Sequence, residues 1–143
     1  MRVDAGFGAL GRALVVAALV SCKVGDPFAP TVENVSGAYT AGRLVTADAA
    51  GFVNWIAAGG SLTLTLSTDG TTSGRLFLPG GAPGGGDLDE DMAGHWLLVG
   101  HTVQFGQAAQ TFVRNMDFHA EQDRLAADQT FGGTQRVIIV LTK

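Results

Sequence analysis

The chain is nearly without cysteine: Cys22 is the only one in 143 residues. A single thiol forms no disulfide within the chain and no thiolate metal site. Clustered basic residues are missing as well. Nine Lys and Arg stand against thirteen Asp and Glu, a formal net charge of −4, whereas nucleic acid rewards grouped Lys and Arg. No nucleic-acid partner is expected, and no basic patch for anionic lipid headgroups. Long apolar runs are also lacking. The uncharged stretch at residues 13–22 is about half of the roughly 20 residues that a membrane-spanning helix needs, and Arg12 blocks its extension upstream. Catalytic signatures are scarce too. No serine sits in a Gly-x-Ser-x-Gly setting. The three histidines are His95, His101 and His119. A predicted strand separates His95 from His101 by roughly 20 Å at ~3.3 Å per residue, so those two share no ligand sphere. His119 could approach either one, though nothing in the spacing shows it. The chain is therefore read as non-enzymatic, with no metal and no cofactor.

What is present begins with an address. Arg2 and Arg12 flank a weakly apolar segment, the apolar run ALVVAALV follows at residues 13–20, and small residues lead to Cys22. A basic start, a short apolar core and a small-residue exit describe a secretory signal peptide. The stretch Leu19-Val20-Ser21-Cys22 resembles the bacterial lipobox. That resemblance implies that the Cys22 sulfur receives diacylglycerol and that cleavage leaves Cys22 as the first mature residue. Only a thiol offers the nucleophilic sulfur that a thioether needs. The mature chain would keep seven of the Lys and Arg and twelve of the Asp and Glu, a net charge of −5. Its membrane attachment would then come from acyl chains rather than from charge. Lys23 follows Cys22 where Asp would favour the inner membrane. In a Gram-negative cell the resemblance implies the outer membrane.

The expected organisation is residues 1–21 as signal peptide, 22–34 as lipidated cysteine and tether, and 35–143 as one domain of ordinary size. The tether reading rests on Pro27 and Pro30 and on the absence of periodicity. Within the domain the clearest segment is GSLTLTLSTDGTTSGRLFLPG. Leu62, Leu64 and Leu66 alternate with Thr63, Thr65 and Ser67, which is a strand with one apolar face. Asp69-Gly70 supplies a tight turn, and Leu76 and Leu78 share a face of the return strand. Further strands are expected over VSGAYTAGRLVT (bent at Gly42), AGHWLLVG, HTVQFGQ, QTFVRNMDFHA (which alternates less cleanly, with a helical turn at its start as the alternative), LAADQTF and QRVIIVLT. One short helix is expected within residues 48–60, where Asp48 can cap and Phe52, Trp55 and Ile56 fall at helical spacing before Gly59-Gly60. The fold class is thus all-β: eight antiparallel strands with short connections, closing into a small up-and-down barrel, with an open sandwich as the alternative.

Two strand openings share a pattern, Gly37-Ala38-Tyr39 and Gly94-His95-Trp96. With the strand order, Gly-x-aromatic resembles lipocalin-like (calycin-type) barrels, in which a Gly-x-Trp opens a strand near the closed end and the ring plugs the floor. The pattern departs from that family in having Tyr39 on the first strand and Trp96 in mid-chain. The resemblance implies an interior that holds a small hydrophobic ligand or lipid, in contact with Tyr39, Leu62, Leu64, Leu66, Leu76, Leu78, Trp96, Leu98 and Phe105. Eight strands enclose a space that side chains can equally well fill. A filled barrel acting as a protein-interaction or inhibitor module is therefore the second reading. The acidic run DLDED at residues 87–91 lacks EF-hand spacing and reads as a solvated loop.

Overall fold

The computed structural model describes residues 27–143, so the segment read as a signal peptide, and Cys22, lie outside the described residues. Eight strands close into an antiparallel barrel in chain order: β1 (Gly37–Asp48), β3 (Ser61–Leu66), β4 (Thr71–Leu78), β6 (Gly94–Val99), β7 (Thr102–Gln107), β8 (Phe118–Glu121), β9 (Arg124–Phe131) and β10 (Gln135–Thr142). β10 returns to β1 from Thr40↔Thr142 to Ala47↔Arg136, which seals the ring and leaves neither strand as an edge. Two short strands extend the wall. β2 (Gly51–Asn54) pairs with the second half of β1, and β5 (Leu88–Asp91) with the second half of β4.

Alternation builds the wall. In β3, Leu62, Leu64 and Leu66 are buried, and Ser61, Thr63 and Thr65 are exposed. The turn into β4 is fixed by Asp69, whose carboxylate accepts from the Thr71 amide (2.9 Å) and hydroxyl (2.6 Å). These bonds hold the Asp69 carboxyl below the usual carboxylate range. β4 must then bend, because its first residues pair with β6 and its last four with β5. Gly74 is the bend: φ is +140°, and a Cβ there would lie 2.0 Å from the Thr63 carbonyl oxygen. Only glycine fits so close an approach. Gly94, at the start of β6, is equally confined, with the Gln107 Cα 2.5 Å from where a Cβ would stand. The expected bend in β1 is a bulge, as the β1–β10 register shifts between Ala41 and Arg43 around Gly42.

The short helix is not where the spacing placed it. Residues 51–54 pair with β1 instead, and the helical pattern survives as one turn, Ala58 N–H to Asn54 C=O at 3.0 Å. Gly51 at φ +134° turns the chain into a hairpin, with Asp48 accepting from the Ala50 amide at 2.8 Å. The β1 edge, left free where β3 ends at Thr40, offers four residues of ladder that outcompete a second helical turn. The helix is α1 (Val32–Val35), formed by the last three residues of the segment read as a tether and the first of the expected domain. Thr31 and Asn34 cap each other reciprocally: the Thr31 amide donates to Asn34 Oδ1 (2.7 Å), and the Asn34 amide to Thr31 Oγ1 (3.2 Å). Val35 and Phe28 pack α1 onto the barrel core.

Candidate functional site

The interior is the first candidate, because the sequence-expected ligand residues converge there. Tyr39, Leu62, Leu64, Leu66, Leu76, Leu78, Trp96 and Phe105 are all buried and belong to one apolar cluster, with Leu98 packed against it half-buried. The same cluster holds Leu44, Val103, Phe118, Leu125, Val137, Ile139 and Leu141, each at 0% exposure. A void wide enough for one water would leave its lining accessible, so these side chains fill the space rather than line it. Phe105 and Phe118 meet edge to face with centroids 5.3 Å apart. Met92, Val113 and Met116 complete the packing. Met92 comes from the connection between β5 and β6, and the other two from a stretch expected as strand: QTFVRNMDFHA is strand only from Phe118, and Val113 and Met116 lie in and just after a single 3₁₀ turn (Val113–Asn115).

The two Gly-x-aromatic openings lie at the α1 end of the barrel. The Tyr39 hydroxyl donates to the Val35 carbonyl at 2.6 Å, and Trp96 Nε1 donates to the Ser67 carbonyl at 2.8 Å. Burial, with the Asp123 charge nearby, pushes the Tyr39 phenol up to about 12. Lys143 lies over the Tyr39 ring, 5.3 Å from its centroid, and donates to the Asn34 carbonyl. Both rings thus have a satisfied polar atom and an apolar body at the floor of the barrel.

The polar candidates separate. His101 and His119 stack with centroids 5.5 Å apart and planes within 16°, both exposed. His95 lies further along β6. Among the described residues no three His, Cys, Asp or Glu side chains gather as a metal site would need. The acidic run is β5 and its approach, not a loose loop, and three of its four carboxylates have separate partners. Asp87 accepts from the Gly80 amide (2.9 Å), Asp91 from the Ala93 amide (2.7 Å), and Asp89 takes the Arg75 guanidinium in a two-pronged pair. The guanidinium holds the Asp89 carboxyl low. Nothing converges on a common cation. Two buried side chains lack protein partners among the described residues: Gln107, which pairs with Gly94 across β6 and β7 and whose two amide atoms are both unpaired, and Thr111, through its hydroxyl.

That leaves the outside, where the five exposed large apolar side chains among the described residues fall into two groups. Val32 (38% exposed), Leu97 (60%) and Val99 (54%) stand at the α1 end. A concavity of about 220 Å³ joins Val32, Leu97 and Leu98 to the turn at residues 68–70. Phe52 (70%) and Val53 (40%) stand at the opposite end, on β2, beside a concavity of about 200 Å³ lined by Thr46, Asp48 and residues 50–53. β2 pairs only with β1, so its other edge presents free backbone N–H and C=O groups. The sequence placed Phe52 on an apolar helix face; the structure turns it to solvent, on the outer side with Ala47 and Arg136.

No protein-family model, no curated protein and no solved structure matches the chain. The class rests on the fold itself: a closed, eight-stranded antiparallel barrel with a filled interior.

Proposed function

We propose that the protein is a non-enzymatic, lipid-anchored component of the bacterial cell envelope whose barrel is a rigid scaffold binding a protein partner on its outside. The filled interior carries this reading. Of the two readings the sequence left, a hydrophobic carrier needs room for a ligand of several heavy atoms, and Leu62, Leu76, Val103 and Phe118 are in contact all round. A carrier would require those side chains to part, at a cost in packing of several kcal/mol. The free β2 edge supports the partner-binding reading directly. An extended segment of a partner would add a strand there, with backbone pairing for affinity and Phe52 as its apolar anchor. The anchor reading rests on Leu19-Val20-Ser21-Cys22, and the outer membrane of a Gram-negative cell on Lys23. Kinship with lipocalin-like barrels belongs to the same proposal. It is supported by the placement of Tyr39 and Trp96 together at one end.

The test is photocrosslinking in intact cells, with a photoreactive residue at Phe52 on the proposed edge and at Thr65 on the outer wall of β3. A discrete protein adduct at 52 that is absent at 65 is expected. Equal labelling at both positions, or none at 52, would remove the partner-binding edge.

A further inference from the structure

We infer that the α1 end of the barrel lies against the bilayer, with Leu97 and Val99 seated in the lipid interface beside the anchor. The inference rests on the lipid-anchor reading of Cys22 and adds an orientation to it. Its first premise is where the described chain begins. Ala29 is tied to Asn34 (2.9 Å), Phe28 packs on the core, and α1 leads straight into β1. The N-terminal segment therefore leaves from that end. Five residue steps separate Cys22 from Pro27, a span of about 18 Å at most. An acylated sulfur at Cys22 would hold the α1 end within that distance of the lipid and leave the β2 end facing away.

The second premise is what that end displays. β6 runs past the start of β4: the Trp96 amide donates to the Gly70 carbonyl, and residues 97–99 continue beyond it. Leu97 and Val99 point outward from this projecting hairpin. Val32 of α1 and Leu98 continue the patch across the concavity. Singly exposed apolar residues need no explanation, but three grouped on the face nearest an acyl anchor fit a lipid surface. The charges nearby do not supply attraction to an anionic membrane, since Glu33, Asp69 and Asp123 accompany Lys143 at this end. The contact is therefore apolar in kind and should persist on uncharged lipid.

The experiment uses the full-length precursor processed in its bacterial host, purified in detergent and reconstituted into phosphatidylcholine vesicles. Cysteine is introduced singly by Leu97→Cys, Val99→Cys or, as a control at the opposite end, Phe52→Cys. Each is labelled with an environment-sensitive fluorophore, and all three sites are exposed enough to carry one without disturbing the core. Quenching by a nitroxide carried on the lipid chains should be several-fold stronger at 97 and 99 than at 52, and iodide in the water should show the reverse order. Equal lipid quenching at all three sites, or crosslinks between copies through 97, would overturn the inference and leave the anchor reading standing. Labelling of Cys22 in the unsubstituted protein would show a free thiol and overturn both.

Discussion

Tyr39 is the only tyrosine in the chain, so its titration can be followed by phenolate absorbance without interference. Its phenol is pushed up to about 12 in the folded barrel, against about 10 when unfolded. A raised pKa means that the fold favours the protonated form. The contribution is present in full below pH 10 and disappears as pH rises through 12. The barrel should therefore lose stability between those values, with phenolate appearing late and together with unfolding. Phenolate appearing near pH 10 while the fold persists would contradict the burial of Tyr39. Gln107 makes the opposite kind of case, since its buried amide lacks protein partners. An unpaired buried polar group costs about 1–3 kcal/mol, and replacing it with an apolar group of similar shape removes that cost. Gln107→Leu should raise the urea midpoint or leave it unchanged. A marked fall would mean that the amide is satisfied in solution. Leu64→Ala, in a site at 1% exposure, should cost about 2–5 kcal/mol by the same measurement. Tyr39, Leu64 and the other inward residues were legible because alternation assigns faces. Met92 was not, since a side chain from a connection carries no period, nor was Met116, since the stretch expected as strand there forms a 3₁₀ turn instead.

Among the elements, β4 and β2 carry the sharpest consequences. Gly74→Ala should destabilise by several kcal/mol, because the added methyl meets backbone of β3 rather than a movable side chain. Thermal unfolding checks it, and a Tm within a degree or so of the parent would contradict the close crossing. β2 behaves differently. Phe52→Ser touches no core residue and should leave Tm nearly unchanged while abolishing the adduct formed by a photoreactive residue placed at the neighbouring exposed Val53. The sequence misread this region for a physical reason. Phe52, Trp55 and Ile56 satisfy helical spacing, but only over about one turn. Pairing with a β1 edge that β3 does not cover is a tertiary effect no local pattern contains. The hidden helix is the mirror case. Thr31-Val32-Glu33-Asn34 caps itself with Asn in the position where Glu or Gln usually signals a capping box. The bend at Gly42 and the hairpin at Asp69-Gly70 were legible because glycine and Asp-Gly mark their own geometry.

At the scale of the molecule, the barrel is polarised. One end carries α1, Tyr39, Trp96 and the Leu97–Val99 projection; the other carries the free β2 edge with Phe52 and Val53. On the proposed reading, the filled barrel between them would act as a spacer, holding the β2 edge away from the anchoring surface. Closure was readable from eight strands with short connections. Whether the interior was full was not, because Leu, Phe and Trp either fill a small barrel or line it, and only their mutual contacts decide. The most direct test of the account is native mass spectrometry on the chain from residue 22 onward carrying Cys22→Ser, purified from bacterial cells without detergent. The account predicts the mass of the bare polypeptide, unchanged after incubation with fatty acids and phospholipids. An adduct of a few hundred daltons that organic solvent releases would mean that the barrel opens to hold a ligand, and would contradict it.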